Sequence, residues 1–202
     1  MTNDNFAHRA AEWDNPQKEA MTRKFVAALT EKLQVKKEWK ALEVGAGTGL
    51  VGLQLLPMVD TVVFEDTSAA MLAVLKSKLN GDEKAELVEG EVFAYAKPDI
   101  DFVFSCMAFH HIPDIDVAVK HLSAITKPGA MVAIGDIRTE DGSFHRFEPI
   151  PHKGFDTDWL AGVFTEAGFE VLETSTYHVL SRERTEGVIS NYEQFMLIAC
   201  KK

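Results

Sequence analysis

The chain has 202 residues, 46% of them hydrophobic and 26% charged, the composition of one globular domain large enough to bury a core. A formal net charge of −10 leaves no surplus of Lys and Arg to displace counterions from phosphates, which speaks against a nucleic-acid partner. No apolar run is long enough for a bilayer, Met1 to Ala10 is too polar for a signal peptide, and Cys106 and Cys200 sit in apolar runs, so a cytoplasmic protein with free thiols is expected.

The first predicted element is helical in pattern from Phe6 to Leu33, interrupted at Asn15-Pro16. Phe25, Ala28, Leu29 and Leu33 recur at helical spacing, so Thr22 to Leu33 reads as an amphipathic helix. The weaker piece before it, with Ala10 and Trp13, reads as part of a helical flap over residues 1–34. Trp13 either staples that flap to the domain or lies over a ligand. Lys40 to Val44 is a strand, and its carboxyl end runs into glycines at alternate positions, Gly45, Gly47 and Gly49. Leu50 to Leu56 is a helix stopped by Pro57. A strand, a glycine turn and a helix start bring bare backbone against a nucleotide-like ligand. Glu43 is the odd residue, since a carboxylate in a strand buried on both faces is costly unless paired.

Thr61 to Phe64 is a second strand, closed by Glu65 and Asp66; Thr67 or Ser68 caps a helix from Ala69 to Leu79, ending at Asn80-Gly81. Ala85 to Val88 and the continuously apolar Ile100 to Cys106 are the third and fourth strands. Asp114 caps a helix from Ile115 to Thr126, Lys127-Pro128-Gly129 breaks it, and Ala130 to Ile137 is the fifth strand. Residues 138–155 form a polar-aromatic loop on the substrate side. After the helix Thr157 to Ala167, Phe169 to Leu180 and Asn191 to Cys200 read as two strands joined by a turn from Ser181 to Gly187. The predicted architecture is an α/β, doubly wound, Rossmann-like sheet, mostly parallel and ending in an antiparallel hairpin.

Four motifs stand in register: E-V-G-A-G-T-G at Glu43 to Gly49, V-V-F-E-D-T-S-A-A-M-L at Val62 to Leu72, F-V-F-S-C-M-A-F-H-H-I-P-D at Phe102 to Asp114, and K-P-G-A at Lys127 to Ala130. With the opening F-A-H-R-A-A-E-W-D they make the chain resemble a class I S-adenosylmethionine-dependent methyltransferase of the small-molecule type, over nearly its whole length. The rival pattern Gly47-x-Gly49-x-x-Gly52, with Asp66 about 20 residues on, fits a nicotinamide-dinucleotide-binding oxidoreductase. That register leaves Glu43 deep in the strand and the His-His-Ile-Pro-Asp segment and terminal hairpin without a role.

The resemblance implies S-adenosyl-L-methionine as cofactor, S-adenosyl-L-homocysteine as product, and a methyl group passed to a small-molecule acceptor by in-line displacement. It also implies cofactor contacts. Gly45, Gly47 and Gly49 border the methionine portion and ribose, Glu43 orders the loop, and Asp66 (or Glu65 beside it) takes the ribose hydroxyls. Met71 or Thr67 flanks the adenine, Glu91 with Val92 meets its amino group, and Ser105 and Cys106 border the methyl position. His110 and His111 are the candidate catalytic residues, since one near-neutral imidazole suits a general base. Trp13, Arg138, Phe144, His145, Phe147, His152 and Phe155 are candidates for the substrate pocket. Adjacent histidines alone space metal ligands poorly, so no metal is expected. The chain is expected to act as a monomer or homodimer; a cofactor-binding module that regulates a protein partner without catalysis is the other reading.

Overall fold

Short β-branched and aromatic runs become the strands of one seven-stranded sheet, and the apolar stripes of the helices cover both its faces. The structure is a computed structural model that describes residues 7–79, 81, 84–145, 149–185 and 187–202; Phe6, Asn80 and Phe147 lie outside the described residues. After a 3-10 turn at Ala7–Glu12 come α1 (Pro16–Lys32), β1 (Lys40–Val44), α2 (Gly52–Leu55), β2 (Thr61–Asp66), α3 (Ala69–Lys78), β3 (Ala85–Glu89) and β4 (Ile100–Cys106). Then follow α4 (Ile115–Ile125), β5 (Thr126–Ile137), α5 (Thr157–Glu166), β6 (Phe169–Thr185) and β7 (Val188–Lys201). The sheet order is β3-β2-β1-β4-β5-β7-β6, parallel through β5 and antiparallel in its last two ladders. The expected mostly parallel sheet finished by a hairpin is the observed one.

The two sheet faces bury different sets. Leu42, Val63, Val103 and Ile134 meet Val119 and Leu122 of α4 and Leu160 and Phe164 of α5. Ala41, Val62, Phe64 and Phe104 meet Phe25 and Leu29 of α1 and Leu72 and Leu75 of α3. Alternate residues of one strand thus serve opposite layers, as the period of two requires. Among the described residues no helix is long and apolar enough to cross a membrane.

Several boundaries differ from expectation for local reasons. Asn15-Pro16 does not interrupt a helix; it starts one. The Asn15 side chain accepts from Lys18 N at 3.0 Å, and Pro16 takes the first helical position, where no N–H is needed. The helix after the glycines is only one turn, and Pro57 lies inside a following 3-10 turn, Leu56–Met58. Lys127-Pro128-Gly129 belongs to β5, because Thr126 already pairs with Ile100 and a register irregularity between Ile100 and Phe102 absorbs the residues that cannot keep the ladder. In the hairpin, Ser181 to Glu183 pair with Asn191 to Ile189, so the strands run well into the stretch expected to be turn. Charged residues are no bar there, since Ser181, Glu183, Val188 and Ile189 are exposed.

Candidate active site

β1 lies between β2 and β4, so the connections leaving its carboxyl end and that of β4 diverge and open a crevice at the point where strand order reverses. The cleft there holds about 480 Å³, within the range of small-ligand sites. Its floor is the glycine turn. Gly45 adopts φ 72°, and a Cβ on it would stand 2.3 Å from Ala108 Cβ, so only glycine lets the turn after β1 pass the turn after β4. Gly47, at φ 56°, presents bare backbone, and its N–H donates to Asp66 Oδ2 at 2.7 Å. Asp66 Oδ1 accepts from Ser68 N at 2.8 Å, and Ser68 Oγ caps α3 by accepting from Met71 N at 3.2 Å. One carboxylate thereby ties the glycine turn to the start of α3.

Three acids line this end of the cleft. Glu43 is 2% exposed; Oε1 accepts from Gly52 N at 3.3 Å, while Oε2 has no hydrogen-bond partner among the described residues. Burial holds its carboxyl well above the ordinary carboxylate range, against the opposing pull of the Gly52 N–H. Glu65 is 1% exposed and accepts from Tyr95 N at 2.9 Å; burial pushes it up to about 7. Asp66 stands outermost of the three, half-buried on the cleft wall. Met71 and Val92 add an apolar flank, and Trp13 closes over the glycines with Lys18 Nζ 3.3 Å from its ring centroid.

The other end of the cleft is imidazole. His110 is 1% exposed, and its Nδ1 donates to Asp136 Oδ1 at 2.7 Å; a buried carboxylate can only accept there. Asp136, fully buried in β5, also accepts from His110 N (Oδ2, 3.1 Å) and Ile137 N (Oδ1, 2.7 Å). Three donors fix the carboxylate, and the carboxylate fixes the ring, leaving a lone pair on Nε2. His111 and His145 stand against His110 with ring centroids 4.2 and 4.7 Å away. Burial, then the neighbouring rings of His110 and His145, push His111 down to about 3, so it is neutral at physiological pH. Met107, the non-glycine residue at φ 58°, turns the chain from β4 into this cluster.

Residues 42–134 match the family model described as a methyltransferase domain. An uncharacterized methyltransferase of Oceanobacillus iheyensis is 32% identical over 122 residues, covering 57% of this chain and 56% of that protein. Residues 42–134 thus form a methyltransferase domain, and the chain is similar to methyltransferases beyond that stretch. An O-methyltransferase of Aspergillus nomiae is 24% identical over 180 residues, covering 80% of this chain and 79% of that one. A demethylmenaquinone methyltransferase of Staphylococcus aureus is 35% identical over 103 residues, covering 48% and 43%. The first of these relatives is thus spanned over about half its length. Among solved structures, an S-adenosylmethionine-dependent methyltransferase from Aquifex aeolicus superposes with a TM-score of 0.72 at 20% identity, over 97% of this chain and 98% of that one. A chain from the Haloferax volcanii complex of the Trm112 methyltransferase activator gives 0.83 at 16% identity, over 99% of both. At such identities the likeness is one of fold, and it includes the terminal hairpin.

On this methyltransferase fold the cleft gathers Trp13, Glu43, Gly45, Gly47, Glu65, Asp66, Thr67, Met71, Val92, Cys106, His110, His111, Phe144 and His145 of the residues singled out from sequence. Others stand elsewhere. Gly49 lies beneath the turn, where a Cβ would strike Leu75 of α3 at 2.3 Å. Glu91 is exposed and outside the cleft lining. Ser105 Oγ donates to Val44 O at 2.7 Å and is spent holding β4 to β1. Arg138 reaches Thr157 Oγ1, Thr176 Oγ1 and Glu193, away from the cleft. His152 Nε2 bonds Ile112 O at 3.0 Å, and Phe155 is core, packed on Phe195 and Trp159. The resemblance implies cofactor roles for Gly49, Glu91 and Ser105, and Arg138, His152 and Phe155 are substrate candidates; the strand period and loop path turn all six aside. Cys106 borders the cleft, but burial pushes its thiol up, so it is no thiolate nucleophile at neutral pH.

Asp136, buried behind His110, and the positive side chains Arg9, Lys18 and Arg182 of the cleft lining are further functional candidates. Asp136 did carry a signal, the same one as Glu43: a lone acid inside an apolar strand. The cations carried none, being charged residues on a helical turn, a helix and a solvent-facing ribbon.

Proposed function

We propose that the chain transfers a methyl group from S-adenosyl-L-methionine to a small-molecule acceptor held at the imidazole end of the cleft. The observation that carries this reading is the polarity of the cleft: acids and bare glycine backbone at one end, a carboxylate-braced imidazole at the other, Cys106 and Ala108 between. A cofactor that carries an amino group, a sulfonium and a ribose diol fits the acid end. Asp66 is the residue proposed to take the ribose hydroxyls, since it already anchors the turn and faces the cleft with acceptor capacity beyond its two N–H bonds. Glu43 Oε2, buried and without a partner among the described residues, offers the acceptor a cationic amino group needs. Met71 and Val92 suit a flat heterocycle.

The bound sulfonium supplies the activated methyl, so the protein's own tasks are to bind, align and exclude water. Trp13 and the helical turn before it cover the glycines; Phe144 and His145 cover the opposite end. Asp136 keeps the proton on His110 Nδ1 and so keeps the Nε2 lone pair available to the acceptor's side. The nicotinamide register finds less support, because the helix after the glycines has a single turn, Gly52–Leu55, too short to present a helix N-terminus to a pyrophosphate.

Calorimetric titration with S-adenosylhomocysteine, beside the oxidised nicotinamide dinucleotides, tests the reading. Micromolar binding of the first alone, about −8 kcal/mol, is expected. Asp66→Asn is expected to weaken it at least tenfold, about 1.4 kcal/mol. Binding of a dinucleotide instead, or an unaffected Asp66→Asn variant, overturns the assignment. A chain that binds the product but methylates no thiol, hydroxyl or amine acceptor is the regulatory module of the other reading.

A further inference from the structure

We propose that His110, His111 and His145 bind one divalent transition-metal ion of the zinc class at the acceptor end of the cleft. Each offers one ring nitrogen, and the three ligand atoms lie within 4.8 Å of one another. No carboxylate stands among the ligand atoms, which disfavours magnesium and calcium; an all-imidazole set suits zinc, cobalt, nickel or copper. Bonds of about 2.0–2.1 Å put two ligands of a tetrahedral ion about 3.4 Å apart, so binding draws the nitrogens together by up to about 1.4 Å. Rotation of the His145 side chain, on the loop that follows Gly142, supplies most of that.

The surroundings are those of a built site. Adjacent histidines alone space ligands poorly, but the fold brings a third imidazole to the pair from the loop after β5. His110 Nε2 belongs to a side chain 1% exposed and has no hydrogen-bond partner among the described residues. A buried polar atom left this way is costly, and a metal bond would relieve it. Asp136, on the other ring nitrogen, is the outer carboxylate that metal-bound histidines commonly carry, fixing tautomer and ring orientation. The His110 backbone is held as well: its carbonyl O accepts from His152 N at 3.3 Å. The His145 loop is pinned by Glu140 Oε2, which accepts from Gly142 N at 2.7 Å and Phe144 N at 3.0 Å.

Three protein ligands leave a fourth position open toward the cleft. That position would take the lone pair of an acceptor thiol, hydroxyl or amine and lower its proton affinity, with His110 acting as ligand rather than base. The choice of acceptor class rests on the methyl-transfer reading; the metal site does not.

The test uses the tag-free full chain, stripped with a chelator and titrated with Co²⁺ while visible absorption is recorded. One equivalent is expected to saturate a band of tetrahedral type. His145→Ala and the ring-preserving His145→Phe are expected to weaken binding at least tenfold with unchanged far-UV circular dichroism, and Asp136→Asn by about 10–100-fold. Absence of a saturable band, or a band indifferent to both His145 variants, overturns the site. Titration with S-adenosylhomocysteine in parallel separates the two proposals. Product binding without Co²⁺ binding sinks the metal site alone, whereas Co²⁺ binding without product binding sustains the site and removes its link to methyl transfer.

Discussion

Replacing Glu65 by Gln removes a titratable carboxyl from the wall of the cleft while leaving the hydrogen bond that Tyr95 N donates to it, 2.9 Å long. The parent carboxyl titrates at about 7 in the fold against an ordinary 4.5, chiefly through burial, with the neighbouring Asp66 adding to it. Below pH 4.5 folded and unfolded chains both hold the proton, and the group exerts no penalty. As pH rises from 4.5 to 7 the unfolded chain releases its proton and the folded chain keeps it, so stability falls; above 7 the loss is complete. At about 1.4 kcal/mol per pH unit that loss is about 3 kcal/mol. Glu65→Gln should therefore match the parent near pH 4.5 and exceed it by about 2–3 kcal/mol at pH 8. Urea unfolding of ligand-free protein at pH 5, 6, 7 and 8, with m unchanged, measures the difference. Glu43 is present in both proteins, and its own pH dependence cancels in the comparison. A stability difference that does not grow with pH would refute the assignment of a buried, protonated Glu65. The same variant should keep its affinity for S-adenosylhomocysteine, in contrast to Asp66→Asn, because Glu65 is engaged by the backbone beyond β3.

Gly45→Ala places a Cβ 2.3 Å from Ala108 and a side chain at φ 72°. The backbone alone contributes roughly 1–2 kcal/mol. Thermal unfolding should drop by at least about 4 °C, with product affinity falling as the turn shifts, and an unchanged midpoint would mean the turn is placed wrongly. Asp136→Asn offers one carbonyl oxygen to a site where three N–H groups converge, so at least one donor meets an amide NH₂. The expected cost is about 1–3 kcal/mol in urea unfolding, with methyl transfer reduced through His110; full stability would show that the pair is not buried as described.

Much of the scaffold was legible because its causes are local. β1 and β4 match their apolar runs residue for residue, and Asp114, Ser68 and Asp156 cap helices because a short side-chain oxygen reaches the free N–H groups of the next turn. The glycine turn, with Asp66 a strand later, marked one end of the cleft, since close backbone approach needs glycine wherever it occurs. Pairing could not be read the same way. Whether Lys127-Pro128-Gly129 ends a strand or rides an irregularity within it depends on Ile100 across the ladder, and the length of the β6–β7 ribbon depends on cross-strand bonds that charge does not forbid. The imidazole end was decided by tertiary structure alone. His110 and His111 announced themselves as a pair, but Asp136 joins them from the next strand and His145 from a loop beyond it, while His152 and Phe155, farther along the same loop, turn into other contacts. Residue type and spacing fix what a segment can bond within one turn or one strand; which distant side chains share a cavity is set by the path of the chain around the sheet.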